Sequence, residues 1–280
     1  MKNIRVVGKS ESSSRLPRDV HKNMKNNEFY TPLRYNIKRA LNALFAALLV
    51  VVLVWFSVLR LSISFDFGFI SQFRYRIFQG FLMTIGLSIV SLIFSLAIGI
   101  IAALGENSKI LFLKYLSSIY VAFIRGTPLI MQIYLFFYII GSAWGIDNRF
   151  ISGVLILSLF EGAYIAEIIR GGLASLEETQ LEAAKAVGFT QAQTVKTVIL
   201  PQLVANVLPS LTGQFSSIIK DSSLLSIIAV IELTQTMREI SSLNFRLFES
   251  YLFLGVLYLC LTLPLSFVSK YFERKFAYEH

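Results

Sequence analysis

Apolar runs about as long as a bilayer is thick alternate along the chain with short polar stretches. A membrane-crossing helix needs about 20 mostly apolar residues. Six segments meet that length: 40–59, 77–105, 115–146, 150–171, 197–233 and 250–269. The first, second and last carry no Asp, Glu, Lys or Arg. The third carries Arg125 alone; the fourth carries Glu161, Glu167 and Arg170; the fifth contains Lys220-Asp221. Each is predicted to be helical, because backbone polar groups facing lipid find partners only within a helix or a closed barrel. Pro128 removes a helix bond and disfavours helix at Thr127, so the third segment is expected to kink there. Lys220-Asp221-Ser222-Ser223 is expected to interrupt the fifth. In the second, Thr84, Ser88, Ser91, Ser95 and Gly99 recur at helical spacing. Small residues on one face let another helix approach closely. Packing within the chain is the first reading of this stripe, and a subunit interface the second.

Between the fourth and fifth runs lies a polar stretch, SLEETQLEAAKAVGFTQAQTVKTVILPQ, residues 175–202. Ser175 with Glu178 has the spacing of a capping box. A helix is predicted to run from there to Val187, with Gly188 supplying a left-handed stop. Thr190 with Gln193 repeats the box spacing and opens a second helix, which is expected to end at Leu200 before Pro201. Leu176, Ala183 and Val187 are predicted to share one face of the first helix. Val195, Val198 and Ile199 are predicted to share one face of the second. The first helix holds Glu177, Glu178 and Glu182 against Lys185. Anionic headgroups would repel that charge, so a groove on a partner protein is a better seat than the membrane surface.

Composition agrees with lipid as the solvent. The chain is 280 residues long, 55% apolar and 15% charged, against roughly 25% charged in soluble domains. The single cysteine, Cys260, excludes an internal disulfide. The two histidines, His21 and His280, sit near opposite ends and offer no metal site. The net charge of +9 is concentrated in residues 1–39, with ten Lys/Arg against Glu11, Asp19 and Glu28. Because that tail abuts an apolar run, anionic membrane lipid at the cytoplasmic face is its expected partner, and nucleic acid is not. It does not resemble a signal peptide. The stretch VVGKS at 6–10 has Asn3 where a phosphate-binding loop requires its first Gly, so no nucleotide site is expected there. With the N-terminus in the cytoplasm, eighteen Lys/Arg fall in cytoplasmic segments and six outside. The positive-inside rule therefore predicts both termini inside and the 175–202 stretch in the cytoplasm.

The intramembrane charges are candidates for chemistry. A carboxylate near a span centre costs roughly 2.5–3.5 kcal/mol on insertion scales, so it usually faces a cavity. Glu161 is the first substrate candidate, with Tyr164 on the same face; the ammonium or cationic side chain of an amino acid suits it. The alternative is an internal pair with Arg125 or Lys220. Arg125 stands before the Thr127-Pro128 break, where a freed helix end and the guanidinium suit a substrate carboxylate; tying the third span to a neighbour is the structural reading. Ser222, beside Lys220-Asp221, either lines a substrate path or packs between helices. Glu167 and Arg170 are expected to form an ordinary helix-surface pair. Glu232 and Glu239 are expected on a solvated outer face, or in contact with an extracellular protein.

Several of these stretches resemble one family. Glu182-Ala183-Ala184, Gly188 and Leu200-Pro201 resemble the EAA loop of ABC-importer permeases, with Val198 standing where Ile is common. FIRGTPLIMQ (123–132), AYIAEIIRGGL (163–173) and IIKDSSLLSIIAVIEL (218–233) resemble the polar amino-acid uptake branch, and the likeness spans roughly residues 78–275. The resemblance implies an all-α inner-membrane protein of bacteria with a five-helix permease core at 77–275, a coupling loop at 172–202 and alternating access. It implies a second permease subunit, cytoplasmic ATPase subunits that bind ATP and Mg, an extracytoplasmic solute-binding protein and an amino-acid substrate. No cofactor and no catalysis belong to this chain in that reading. Residues 1–39, as a basic cytoplasmic tail, and 40–62, as an extra span, depart from the family pattern and bring the expected spans to six. The alternatives are an ion- or proton-coupled carrier working alone, with Glu161 and Asp221 as coupling groups, and a membrane-anchored signalling or assembly protein.

Overall fold

The computed structural model describes residues 32–61 and 65–277. The basic stretch before Pro32, with His21 and VVGKS, lies outside the described residues, as does His280. Helices supply all the regular structure among the described residues. Five of them are long and apolar enough to cross a membrane, or six if one bent pair counts as a single span.

The chain divides into two units, 1–64 and 65–280. The described part of the first is one helix, α1 (Pro32–Leu61). Its side chains from Lys38 to Ser57 are exposed around the whole circumference, and the mean hydropathy of Lys38–Ser57 is 2.4. A helix apolar on every side has no water-facing stripe.

In the second unit a short helix, α2 (Phe69–Gln72), precedes α3 (Arg74–Glu106). Helix α3 lies along α6 (Arg149–Ala174) in the most extensive packing of the unit. The small-residue stripe is what permits it. Thr84, Ser88, Ser91, Ser95 and Gly99 are all buried on α3. A Cβ at Gly99 would stand 2.5 Å from Ile165 Cγ2, and one at Gly162 would stand 2.8 Å from Ile98 Cγ2. Ser158 donates across the contact to the Ser91 carbonyl at 3.3 Å. The stripe thus packs within the chain, and Leu87, Leu157 and Ile165 fill the buried interior on either side.

Helix α4 (Leu111–Gly126) stops where the sequence places the break. Thr127 and Pro128 are both extended, and α5 (Leu129–Tyr134) leaves at 113° before running into a π-helical turn, Leu135–Gly141. The freed groups are recovered by one side chain. Buried Gln132 donates from Nε2 to the Ile124 carbonyl and to Thr127 Oγ1, each at 2.8 Å.

After α6 come α7 (Glu178–Ala186) and α8 (Gln191–Thr194), then a π-helical turn, Val195–Ile199, and α9 (Leu200–Asp221). The helix tightens to a 3-10 turn over Ser222–Ile228, so the Lys220-Asp221-Ser222-Ser223 stretch does alter the fifth span. The chain reverses at Ala229, which holds a left-handed φ of 55°. Helix α10 (Leu233–Asn244) follows, and α11 (Leu247–Ala277) ends the described chain.

Glu232 departs from expectation. It is fully buried rather than solvated. Its carboxylate caps α10, accepting from Thr234 N and Gln235 N at 2.7 Å each, and accepts from Tyr258 Oη of α11 at 3.0 Å. Thr84 Oγ1 of α3 takes the Leu233 N–H at 3.0 Å. The four helix-terminal N–H groups lack intrahelical acceptors; at this buried end a carboxylate and a hydroxyl serve three of them, and the Val230 carbonyl takes the Glu232 N–H at 2.8 Å.

Candidate coupling loop and intramembrane site

The loop between α6 and α9 keeps the expected two-part plan but changes its details. Ser175 does not cap α7. It closes α6, donating to the Gly172 carbonyl at 2.8 Å and accepting from Asn206 Nδ2 at 2.9 Å. The N-cap of α7 is Glu177, without a side-chain bond. Helix α6 runs on to Ala174, so its last carbonyls claim the serine before the next helix can. At the far end of α7, Gly188 has φ 83°, as a left-handed stop requires. Phe189 N bonds to the Ala184 carbonyl and Gly188 N to the Lys185 carbonyl, both at 3.0 Å, forming a Schellman turn. Thr190 and Gln193 do form the second capping box.

Pro201 does not end the second helix. The chain stays helical through Gln191–Ile228. Pro201 falls in the first turn of α9, where a missing N–H is tolerated, and the π turn just before it shifts the bonding frame. The second loop helix is therefore continuous with the fifth span, not a separate piece. The predicted apolar face of α7 is also displaced. Ala184 is its buried residue, whereas Ala183 is exposed and Val187 is 75% exposed. Glu182, Gly188, Leu200 and Pro201 are exposed as well. Gln202 Nε2 donates to Gln180 Oε1, joining α7 to the start of α9. The loop thus has a braced inner side and an exposed outer side carrying Glu182, Ala183 and Val187.

Inside the bundle the candidate residues form two groups rather than one. Glu161 is fully buried on α6. Gln214 of α9 donates to its Oε2, and the Asp221 carboxyl lies beside it. No ion pair reaches Glu161 among the described residues. Neither Arg125 nor Lys220 is therefore its salt-bridge partner. Gln214 carries no charge to mark it in the sequence; a Gln deep inside an apolar run was the available signal.

The second group gathers around Glu167. Arg125 of α4 meets its Oε2 at 2.9 Å, and Arg170 meets its Oε1 from the next helical turn. The Arg125 guanidinium lies 5.8 Å from the centre of the Tyr164 ring. Arg125 therefore ties α4 to α6, and Glu167 serves two cations rather than one. Tyr164 packs on Phe160 at 5.1 Å between ring centres and is partly exposed. Ser222 is fully buried, donating to the Ile219 carbonyl at 2.7 Å at the start of the 3-10 turn.

A third polar assembly lies where α3 begins. Arg76 of α3 pairs with Glu239 of α10, with side chains 45% and 32% exposed, and Gln235 Nε2 donates to Glu239 at 3.0 Å. Pairs this exposed are worth about 0–1 kcal/mol. They border a cavity of about 660 Å³ that Arg238 and Ser242 also line.

Span-length helices, carboxylates converging inside the bundle and a braced polar loop define a multi-pass membrane transport component. The chain belongs to the family of binding-protein-dependent transport system inner membrane components, which it matches over residues 95–278. It is 34% identical over 197 residues to a probable glutamine ABC transporter permease protein, GlnM, of Bacillus subtilis (strain 168), covering 70% of this chain and 91% of that protein. It is 38% identical over 197 residues to the L-cystine transport system permease protein TcyB of the same organism, covering 70% and 84%. A crystal structure of an amino acid ABC transporter with histidines superposes with a TM-score of 0.71 at 33% identity, covering 76% of this chain and all of that one. These relatives are transport permeases, and they give the ion-coupled carrier no support.

Proposed function

We propose that this chain is the permease subunit of an ATP-driven importer of polar amino acids in a bacterial inner membrane. It works with a second permease subunit, cytoplasmic ATPase subunits that bind ATP and Mg, and an extracytoplasmic solute-binding protein. Both termini are cytoplasmic, and α1 is a sixth span added to a five-helix core. The observation that carries the reading is the loop at 172–202, within the matched region, with Glu182, Ala183 and Gly188 exposed around a fixed Schellman turn.

The mechanism follows from how that loop is tied. It is braced to the start of α9 through Gln180–Gln202 and Ser175–Asn206. ATP-driven closure of the ATPase pair displaces Glu182, Ala183 and Ala184 together with Leu200 and Pro201. A push there is delivered along one continuous helix as far as Ser222. Gln214 and Asp221 on that helix contact Glu161 on α6, so the same movement changes the surroundings of the buried carboxylate. Glu161 is the substrate contact, and with Asp221 beside it the carboxyl pair offers negative charge to an amino acid's ammonium or cationic side chain. Tyr164 and Arg125 border the path on the inner side, and Ser222 marks the turn on the outer side. Substrate contact by Glu161 is supported by its complete burial without an ion-pair partner among the described residues.

Reconstitution tests the proposal. Amino-acid uptake into liposomes is expected when the permease is assembled with ATPase subunits, the solute-binding protein and ATP, and not with the permease alone. Uptake by the permease alone, driven by an ion gradient, would overturn it.

A further inference from the structure

The cavity bordered by the start of α3 and by α10 has no role in the transport cycle described above. Arg76, Ser226, Gln235, Arg238, Glu239 and Ser242 supply its polar lining. Its volume of about 660 Å³ falls within the roughly 300–1,000 Å³ of small-molecule sites. Arg76 is matched by Glu239, whereas Arg238 has no ion-pair partner among the described residues. The lining therefore carries two guanidiniums and one carboxylate, an excess of one positive charge.

That balance selects a chemistry. A guanidinium fork receives a carboxylate through two parallel hydrogen bonds. A bare anion such as phosphate would satisfy the arginines but be repelled by Glu239. A ligand carrying an ammonium next to its carboxylate satisfies both signs. The resident Arg76–Glu239 pair is partly exposed, so water and ligand reach it, and each partner can exchange the other for the matching end of such a ligand.

We propose that this cavity is a receiving site for the zwitterionic head of an α-amino acid, distinct from Glu161. Arg238 and Arg76 take the α-carboxylate, and Glu239 takes the α-ammonium. The proposal rests on the transport reading for its substrate class and, in the topology given there, places the site at the outer mouth.

Arginine labelling tests it on the assembled transporter in nanodiscs. Phenylglyoxal is applied and its attachment at Arg238 and Arg76 is read by peptide mass spectrometry. A mixture of polar L-amino acids is expected to slow labelling at both positions several-fold. The same mixture N-acetylated, or with its α-carboxyls amidated, is expected to give no protection, and Glu239→Gln is expected to abolish protection by the free amino acids. Labelling unaffected by amino acids would overturn the site, and so would equal protection by sulfate or by the N-acetylated mixture, which indicates a general anion site. Protection that depends on adding the solute-binding protein would also overturn it, by marking a docking surface instead. Uptake on the same preparation separates the two readings. ATP-dependent uptake without protection refutes only this site, whereas uptake that needs no ATPase refutes the transport reading.

Discussion

Arg125 on α4 and Glu167 on α6 meet at 2.9 Å, and the same carboxylate also receives Arg170. One acid thus holds two cations and links the helix before the Pro128 break to the helix that carries Glu161. Arg125→Glu is expected to lower the thermal stability of the purified permease by roughly 1 kcal/mol, the scale of a partly exposed pair. Glu167→Arg added to it is expected to recover part of the loss. A double variant no better than the single one in a melting experiment would show that the contact ties nothing.

Gln132 closes the break between α4 and α5 with its side-chain amide. Gln132→Leu leaves the Ile124 carbonyl and the Thr127 hydroxyl without that donor. The expected cost is roughly 1–3 kcal/mol, the range for buried groups left unsatisfied. Thermal unfolding in detergent reads it, and an unchanged midpoint would remove the clamp from the account.

Gly99 lies in the contact between α3 and α6, with Ile165 Cγ2 2.5 Å from an added Cβ. Gly99→Ala is expected to destabilise the protein by roughly 1–3 kcal/mol through overpacking. Ile165→Ala in the same chain should recover part of that loss. Failure of the second change to help, measured by the yield of folded protein, would mean that the clash lies elsewhere.

Glu182→Lys alters an exposed side chain of α7. It is expected to abolish ATP-dependent uptake with the permease still inserted, because a groove suited to an acidic helix would be met by the wrong charge. Gly188→Ala forces a Cβ into a left-handed position, at about 1–2 kcal/mol, and is expected to weaken ATPase association in a pull-down. Normal uptake in the first variant would refute the docking role.

Glu161→Gln keeps the shape of a buried side chain and removes its charge. Apparent affinity for substrate is expected to fall at least about tenfold, equivalent to about 1.4 kcal/mol. Uptake kinetics with unchanged affinity and selectivity would exclude Glu161 from the substrate path.

Spans, breaks and the Thr190 cap were legible in the sequence because each depends on neighbours along the chain. Lipid cannot satisfy backbone groups, so apolar length alone marks the helices. Pro128 and Gly188 act through their own dihedral angles, and both did what local rules require. Ser175 and Pro201 did not, since each lies where two helical frames compete and the longer helix decides. Partners across the bundle were beyond reach of the sequence. Glu161 meeting Gln214, Arg125 meeting Glu167 and Glu232 buried as a cap all depend on which helix faces which. Periodicity records that a face is small or apolar but not its neighbour, and in a membrane every span is apolar, so hydrophobic pattern distinguishes faces poorly. That choice belongs to packing and to the pairing of the few buried polar groups, and only the tertiary structure made it.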